Sequence, residues 1–184
     1  MRIISGKARG TKLFTLEGTT TRPTLDRVKE SIFNIIQSEI ENSLVLDLFA
    51  GSGAIGLEML SRGANKAILC DNSKSAIEII KKNIEKTHMQ EHIELYNLDF
   101  ESCIEKVKNL KFDIIYLDPP YNTDYIERAL KKIIELYIIK QEGQIILETD
   151  DETRIMKERE NINIEVVDKR KYGRATIIFL KKRA

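Results

Sequence analysis

The sequence predicts an α/β protein with a mostly parallel sheet that is covered by helices on both faces. From residue 44 onward, short apolar segments alternate with longer amphipathic ones. Strands and helices that alternate through short connections form parallel sheets by right-handed crossovers. The end of the chain departs from this pattern, because residues 162–182 hold two strand-like segments around a short turn at Tyr172 and Gly173. These last segments predict an antiparallel hairpin at one edge of the sheet.

The alternating region is predicted to supply the other strands and most of the helices. Its strand-like segments are rich in Ile, Leu and Val and too short for helices. The predicted strands are 44–49, 66–71, 92–97, 112–117 and 143–149, which with the final hairpin make a seven-stranded sheet. The predicted helices are 54–62, 74–87, 100–109 and 123–139. In 74–87, isoleucines recur at spacings of three and four, which is typical of a helix with one buried face.

The first 43 residues differ from the rest of the chain. The stretch "RIISGKARGTKLFTL" resembles a short β-hairpin with a basic, glycine-rich turn, and "TLDRVKESIFNIIQSEI" is typical of a helix. The apolar face of this helix is predicted to consist of Leu25, Val28, Ile32, Ile35 and Ile36. We therefore predict one domain, residues 1–184, in which residues 1–43 form an extension packed on a core of residues 44–184.

The charge of the chain is unevenly distributed, although its formal net value is only +1. With 42% hydrophobic and 32% charged residues, the composition is that of a folded globular protein. The first twelve residues contain no acid, and neither does the chain after Asp168. The basic residues in these two segments are Arg2, Lys7, Arg9, Lys12, Lys169, Arg170, Lys171, Arg174, Lys181, Lys182 and Arg183. They are either ordinary solvated surface or a phosphate-binding face assembled from both ends.

Several classes of protein are disfavoured by what the sequence lacks. Cys70 and Cys103 show no repeated spacing, which argues against a disulfide scaffold or a zinc site. His88 and His92 have no cysteine or acid cluster beside them, so we predict surface residues and no metal. The N-terminus has no apolar signal region, and no stretch approaches the ~20 apolar residues of a membrane span. We expect a cytoplasmic protein with no membrane partner.

A glycine loop follows the first predicted strand. In "DLFAGSGAIG", Gly51, Gly53 and Gly56 satisfy the G-x-G-x-x-G pattern at the start of a helix. Glycines allow a tight turn and close approach of a ligand to the backbone. The pattern alone is weak, because a plain strand-to-helix turn has the same form.

Three acids at successive strand ends strengthen the case for a cofactor. Asp71 ends the second strand, where a carboxylate can accept hydrogen bonds from ribose hydroxyls. Asp47 lies just before the glycine loop, where it suits an ammonium group and opposes the pyrophosphate of NAD. Asp99 could accept a hydrogen bond from an adenine amine and Phe100 could pack on the ring, although Asp99 is an equally good helix N-cap. S-adenosylmethionine has the ammonium and the ribose and no phosphate, so these residues favour it as cofactor.

The stretch "DPPY", residues 118–121, follows the fourth strand, which is predicted to neighbour the first. Prolines fix the backbone and remove N–H donors, so Asp118 and the Pro119 carbonyl can accept the two hydrogens of an exocyclic amine. This would aim the nitrogen lone pair at a methyl donor, so that positioning supplies much of the catalysis. Tyr121, beyond Pro120, offers a face on which a flipped base can stack. With an ordinary pKa of ~3.9, Asp118 is expected to be a weak base.

The segments "DLFAGSG" and "DPPY" together resemble the class I, S-adenosylmethionine-dependent amino-methyltransferases. In that superfamily the tetrapeptide occurs in enzymes that act on adenine N6, and related forms act on cytosine N4 or guanine N2. It indicates the reaction without selecting the base. The segments "RIISGKARGTKL" and "TRPTLDRVKESIFNII" are more specific. They resemble the bacterial 16S ribosomal RNA guanine-N2 methyltransferases, and the similarity extends over almost the whole chain.

The resemblance implies a Rossmann-like sheet with a reversed last strand, S-adenosylmethionine as cofactor and guanine N2 of 16S RNA as target. The RNA would be free or part of an assembling small ribosomal subunit. The residues that the resemblance assigns are Asp47, Gly51 and Gly53 for the cofactor, Asp71 for the ribose and Asp118 to Tyr121 for catalysis. Members of the family often have glutamate where this chain has Asp71, so the geometry of the ribose contact stays open.

The basic N-terminal hairpin is the main addition to a bare methyltransferase domain. We therefore predict that its cations and the one that follows them contact RNA phosphates. These residues are Arg2, Lys7, Arg9, Lys12 and Arg22.

Three other functions are considered. A DNA or RNA adenine-N6 methyltransferase shares "DPPY", but DNA enzymes usually add a target-recognition region, and no insertion follows Tyr121. An NAD-dependent oxidoreductase is disfavoured by Asp47 and "DPPY". The third alternative is an RNA-binding module that keeps the fold but catalyses no reaction. Such a protein would have no use for the glycine loop, so binding of the cofactor would argue against it.

Overall fold

Seven strands and seven α-helices make up the described part of the computed structural model, which comprises residues 1–16, 23–158 and 162–183. The strands are β1 (Leu44–Asp47), β2 (Lys66–Cys70), β3 (Ile93–Tyr96), β4 (Phe112–Leu117), β5 (Ile139–Thr149), β6 (Ile164–Tyr172) and β7 (Ala175–Lys182). The helices are α1 (Pro23–Ile35), α2 (Gln37–Ile40), α3 (Ala54–Ser61), α4 (Lys74–Thr87), α5 (Phe100–Lys106), α6 (Tyr125–Glu135) and α7 (Glu152–Glu158). In these ranges, no helix has both the length and the apolar character needed to cross a membrane.

All seven strands lie in one sheet, in the order β3-β2-β1-β4-β5-β7-β6. Neighbours from β3 to β5 are parallel, whereas β7 is antiparallel to both β5 and β6. The predicted mostly parallel, seven-stranded sheet with a reversed last strand is confirmed. Because the strand order changes direction between β1 and β4, their carboxyl ends flank the crevice in which open α/β sheets bind ligands.

The sheet is apolar on both faces, as expected for parallel strands that are covered by helices on both sides. Residues of β1 and β4 alternate between two buried clusters. Val45 and Ile114 belong to the cluster that includes residues of α1, α3 and α4, whereas Leu46 and Ile115 belong to the cluster that includes residues of α5 and α6. Ile3 of the N-terminal segment lies fully buried in the first cluster, so this segment shares a core with the sheet.

Two regions differ from the sequence-based prediction. Helix α6 ends at Glu135 and β5 already begins at Ile139, where the prediction extended the helix. Between them Tyr137 has a φ of 52°, a left-handed conformation that stops a helix. Helix α7 was not predicted, because "DDETRIMKE" is strongly charged and shows no apolar face. In the structure the helix is packed on the protein through the buried Ile155.

The N-terminal segment forms the predicted hairpin with a single bridge instead of a ladder. Arg2 and Lys12 make that antiparallel bridge. At the turn, Gly6 has a φ of 82°, and a Cβ at this position would lie 1.7 Å from the carbonyl oxygen of Ser61. Only glycine therefore lets the turn approach the end of α3 so closely.

Glu58 of α3 anchors this hairpin. Its fully buried carboxylate accepts hydrogen bonds from the backbone N–H groups of Ile4, at 2.8 Å, and Ser5, at 3.0 Å. It also pairs with Lys29 of α1 at 3.1 Å and with Arg62 at 2.8 Å. Burial lowers the pKa of Lys29, and the Glu58 charge opposes this shift. One carboxylate thus holds together the hairpin, α1 and α3.

A second buried polar group, Asn83 of α4, joins the N-terminal segment to the glycine loop. Its amide nitrogen donates to the carbonyl oxygens of Phe14, at 2.9 Å, and Ser52, at 2.8 Å. Its amide oxygen accepts from the Phe14 N–H at 2.8 Å. Both donors and the acceptor of this side chain are therefore engaged, and the loop and the segment are fixed relative to each other.

Substitution of Glu58 by glutamine should destabilise the protein strongly. The change leaves the buried Lys29 ammonium without a charged partner, which costs about 3–5 kcal/mol of unfolding free energy. Urea denaturation should show a lower midpoint at an unchanged slope. The matched control is Glu78→Gln, which breaks the exposed pair with Lys81 and should cost about 1 kcal/mol or less. Equal losses for the two variants would contradict the anchoring role of Glu58.

Candidate active site

The parallel strands bring the predicted acids to one edge of the sheet. Asp47 is the last residue of β1 and lies opposite Tyr116 of β4 in the ladder. Asp118 directly follows β4, and Asp71 directly follows β2. The acids that are separated in sequence therefore converge at the carboxyl ends of neighbouring strands, where ligands of such sheets bind.

The glycine loop has the backbone that its glycines predicted. Gly51 and Gly53 have φ angles of 57° and 78°, in the left-handed region that favours glycine. A Cβ on Gly51 would meet no protein atom within 4 Å, so the backbone here faces open space. Helix α3 begins at the next residue after Gly53, and its N–H groups point back toward the loop.

Asp71 fastens this loop to the start of α4. One carboxylate oxygen accepts from the Gly51 N–H at 2.9 Å, and the other accepts from the Ser73 N–H at 2.9 Å. A carboxylate oxygen has a further lone pair after one such bond, so these contacts leave capacity for ribose hydroxyls. The ribose contact of Asp71 stays a prediction.

Asp47 is a buried acid without a cationic partner among the described residues. It is 1% exposed, and its carboxylate accepts a long hydrogen bond, 3.3 Å, from the Phe49 N–H. Burial raises the pKa of Asp47 to about 7, with a smaller contribution in the same direction from the charge of Asp71. Such a group is incompletely satisfied, and a bound cation would satisfy it.

A cleft of about 250 Å³ opens between this edge and the N-terminal part of the chain. Its apolar wall includes Met1, Val28 and Ile32, and its polar floor includes Asp47, Asp118 and Glu148. An apolar space with a few convergent polar groups is typical of a small-molecule site. The N-terminal extension therefore forms part of the site.

Asp99 and Phe100 lie at the third strand end. Asp99 is exposed and caps α5, accepting from the Ser102 N–H at 2.9 Å and from its hydroxyl at 2.7 Å, which lowers the pKa of Asp99. Phe100 is 6% exposed, and its ring packs against Phe49 at 5.4 Å and Tyr125 at 5.1 Å between centroids. Both residues have structural roles, and their contacts with an adenine stay predictions.

In the "DPPY" segment that follows β4, Pro119 is buried, whereas Asp118, Pro120 and Tyr121 are exposed. Asp118 opens onto the cleft, and Tyr121 is 45% exposed. The Pro120 carbonyl accepts from the Thr123 hydroxyl at 2.8 Å. In the described ranges, no protein donor hydrogen-bonds to the Pro119 carbonyl, so this oxygen can serve a ligand amine as the sequence predicted.

The pKa of Asp118 differs from the sequence-based expectation. The surrounding protein raises it well above the usual range of a carboxyl, and the nearby Glu148 and Asp47 charges add to the shift. The direction of this shift makes Asp118 a stronger base than the ordinary carboxylate that the sequence predicted, and its role as an acceptor stays a prediction. Three acids around one cleft cannot all be ionised at little cost, because like charges disfavour each other.

Glu148, near the end of β5, was missed by the sequence analysis. Its carboxyl lines the same cleft as Asp47 and Asp118, and burial raises the pKa of Glu148, a shift that the hydroxyls of Tyr116 and Tyr121 oppose. The rule that identified Asp47 and Asp118 could have found it, since β5 also ends at this edge with an acid. In the part of the chain that the structure describes, no group of His, Cys, Asp and Glu could hold a metal ion.

The cations predicted to bind RNA lie on the exposed side of the N-terminal hairpin. Arg2, Lys7, Arg9 and Lys12 are all exposed. The Lys7 N–H donates to the Ser61 carbonyl at 2.8 Å, which places the hairpin turn beside the end of α3. Arg22 lies outside the described residues. RNA contact by these residues stays a prediction.

Comparison with known proteins assigns the chain to a family. Residues 1–181 match the family described as "Conserved hypothetical protein 95". The chain belongs to this family. It is 37% identical over 186 residues to "Putative rRNA methyltransferase YlbH" of Bacillus subtilis (strain 168), with 100% of both chains covered.

Two further proteins agree with this assignment. The chain is 37% identical over 152 residues to "Ribosomal RNA small subunit methyltransferase D" of Haemophilus influenzae, covering 82% of this chain and 79% of that one. A solved structure described as "Putative methyltransferase yhhF from Escherichia coli" has a TM-score of 0.85 at 27% identity and covers 100% of this chain and 98% of its own. The predicted membership of a ribosomal RNA methyltransferase family is confirmed.

The raised pKa of Asp47 predicts a pH dependence of stability. The folded pKa of about 7 exceeds the unfolded value of ~3.9, so the ligand-free protein loses stability as the pH rises between these values. Asp47→Asn removes this loss. Relative to the wild type, the unfolding free energy of the variant should rise by up to about 1.4 kcal/mol per pH unit in that window. The difference should level off above it. Urea denaturation at pH 5, 6, 7 and 8 measures the difference; a value independent of pH would contradict the shift.

Proposed function

We propose that the protein is a cytoplasmic enzyme that transfers a methyl group from S-adenosylmethionine to the exocyclic N2 amine of a guanine in 16S ribosomal RNA. The observation that carries the proposal is the position of Asp47 and of Asp118, the first residue of the "DPPY" segment, on one cleft at the ends of the adjacent strands β1 and β4. The first provides an anionic site for a cationic cofactor, and the second provides acceptors for an amine. The names of the relatives support ribosomal RNA as the substrate.

The residues of the cleft fit S-adenosylmethionine. Asp47 is buried without a cation and would hold the ammonium group. Gly51 and Gly53 would bring the backbone close to the ligand, and Asp71 would accept from the ribose hydroxyls. Asp99 and Phe100 are proposed to line the adenine end. The bound cofactor supplies an electrophilic methyl group on a sulfonium.

Asp118 and the Pro119 carbonyl would orient the amine of the target base. Each accepts one of its hydrogens, so that the nitrogen lone pair is directed at the methyl group and the reaction benefits from positioning. A protonated Asp118 can still accept through its carbonyl oxygen. Positive charge brought into the cleft lowers the pKa of Asp118 again. In its ionised form this residue can take the proton that the methylated nitrogen releases, and pass it to water.

Tyr121 would hold the target base against its ring. Its side chain lines a pocket together with Pro119, Pro120 and Glu148. Stacking on an aromatic side chain is a common way to hold an unpaired base. The exposed Arg2, Lys7, Arg9 and Lys12 are proposed to neutralise RNA phosphates. Arg22, which lies outside the described residues, is proposed to do the same.

Mapping of the product tests this function directly. RNA from cells that lack the protein should be incubated with labelled S-adenosylmethionine and either the wild type or Asp118→Ala. Mass spectrometry of the nucleosides should find N2-methylguanosine in 16S RNA only with the wild type, because Asp118→Ala lacks the side-chain acceptor. N6-methyladenosine instead would reassign the base. Binding of RNA without any methylated product would indicate an RNA-binding module.

A second set of variants tests the roles of Asp118 and Tyr121 in single-turnover methyl transfer. Asp118→Asn should retain partial activity, since the amide oxygen still accepts a hydrogen bond, whereas Asp118→Ala should lose most of it. Tyr121→Phe should be mild and Tyr121→Ala severe, because stacking needs the ring and each stacked base contributes ~1–3 kcal/mol. Equal damage from both Tyr121 variants would show that the hydroxyl, and not the ring face, carries the function.

A further inference from the structure

The turn between β6 and β7 lies at the same edge of the sheet as the cleft. Strand β7 is antiparallel to β5, and Thr176 pairs with Thr149 at the end of β5. Tyr172 of β6 pairs with Ala175, so the turn residues, including Arg174, lie beyond this end of β5. The turn therefore lies next to the end of β5 that carries Glu148, and the "DPPY" segment follows the next strand of the sheet, β4.

The turn is held in place by Tyr172. Its hydroxyl hydrogen-bonds with the hydroxyl of Ser31 in α1. Its ring is partly buried and packs against the cluster that also contains Ile32 and Val45. A side chain that is fixed at both its ring and its hydroxyl keeps the turn in one position against the N-terminal helix.

Two cations of this turn region have no acidic partner in the described part of the chain. Lys169 pairs with Glu152 at 3.0 Å, and the neighbouring Arg170 pairs with Asp168 at 3.0 Å. Lys171 and Arg174, by contrast, are exposed and have no carboxylate oxygen within 4.0 Å among residues 1–16, 23–158 and 162–183. Exposed cations without internal partners are available to an external anion.

Arg174 is electrostatically coupled to the catalytic segment. Its charge favours the ionised form of Tyr121 and lowers the pKa of that phenol, against the larger effects of burial and of the Glu148 and Asp118 charges. The order of the strands agrees with this coupling, because β7, which begins directly after Arg174, is separated from β4 only by β5.

The cations of the N-terminal turn lie farther from the cleft. Lys7 is beside Ser61, the last residue of α3. The first residue of α3 follows the glycine loop, and the helix has 8 residues, so its length of about 12 Å separates this turn from the edge. The two basic regions are thus at different distances from the site of methyl transfer.

We propose that Lys171 and Arg174 bind the RNA phosphates next to the target nucleotide, on the side of the cleft formed by β5 and β7. This inference rests on the proposed function and adds a second RNA-binding surface to the N-terminal hairpin. Backbone phosphates are the uniform anions of an RNA strand, and neutralising them with lysine and arginine releases counterions. A strand with its base on Tyr121 would pass these two side chains.

A different explanation for the same charges must be separated from this one. Strand β6 is at the edge of the sheet, and lysines on an edge strand prevent pairing with a second sheet. On that explanation, neutralising Lys171 and Arg174 would promote self-association and leave RNA affinity unchanged.

The test compares two double variants, each of which removes one lysine and one arginine charge from the β6–β7 region. Lys171→Gln with Arg174→Gln changes the turn, whereas Lys181→Gln with Arg183→Gln changes the opposite end of the hairpin, where Lys181 pairs with Gln144 at the start of the parallel part of β5. The probe is 16S RNA transcribed in vitro. Its affinity is measured over a salt series with S-adenosylhomocysteine present, and methyl transfer to it is measured as kcat and KM.

The turn variant should weaken RNA binding and flatten the dependence of log affinity on log salt by about 0.7–0.9 for each phosphate that it no longer neutralises. Its KM for RNA should rise more than its kcat falls, and binding of S-adenosylhomocysteine should not change. The control variant should resemble the wild type. Equal salt slopes for the two variants, or self-association of the turn variant with unchanged RNA affinity, would overturn the inference. If the wild type itself neither binds nor methylates the RNA, the proposed function fails instead.

Discussion

The pairing of β1 with β4 is the constraint on which the site depends. In the parallel ladder Asp47 lies opposite Tyr116, two residues before Asp118. A shift by one residue would turn every side chain of a strand to the other face of the sheet, and both faces of these strands are packed against helices. The packing of these side chains against the helices therefore fixes the register, and the register places Asp47 beside the strand that leads to Asp118. The relative position of Asp47 and Asp118 in the candidate site is therefore set by the packing of the core.

The N-terminal segment is placed by buried polar contacts more than by a sheet ladder. Glu58 satisfies two backbone N–H groups and two cations, and Asn83 connects Phe14 to the glycine loop. Such groups are expensive to bury unless each is paired, and strongly specific once they are. They give a short segment with a single bridge a defined position, and this position closes one wall of the cleft. The extension is consequently part of the candidate active site, and its outer side is the surface proposed to bind RNA.

Most of the fold was predictable because its local and long-range signals agree. Alternating apolar segments predicted the strands. The glycine loop and "DPPY" identified the edge of the sheet at which the candidate active site lies. The parts that sequence reasoning missed depend on tertiary contacts. Helix α7 lacks an apolar periodicity of its own, and the pKa of Asp118 reflects the protein around it and two acids that are remote in sequence. Glu148 was the avoidable omission, since it follows the same strand-end rule. Phe100 was predicted to contact a ligand, but its ring is buried against other aromatic rings of the core.

The near-neutral pKa of Asp47 has a consequence for ligand uptake. In the empty cleft this carboxyl is divided between its protonated and ionised forms around pH 7. A cationic group that settles against it stabilises the ionised form, so uptake expels up to one proton into the solvent. Occupancy of the cleft is then proton-coupled, and mild acidification lowers it without any change in shape. Burial of Asp47 thus weakens the empty fold at neutral pH and couples the binding of a cation in the cleft to the release of a proton.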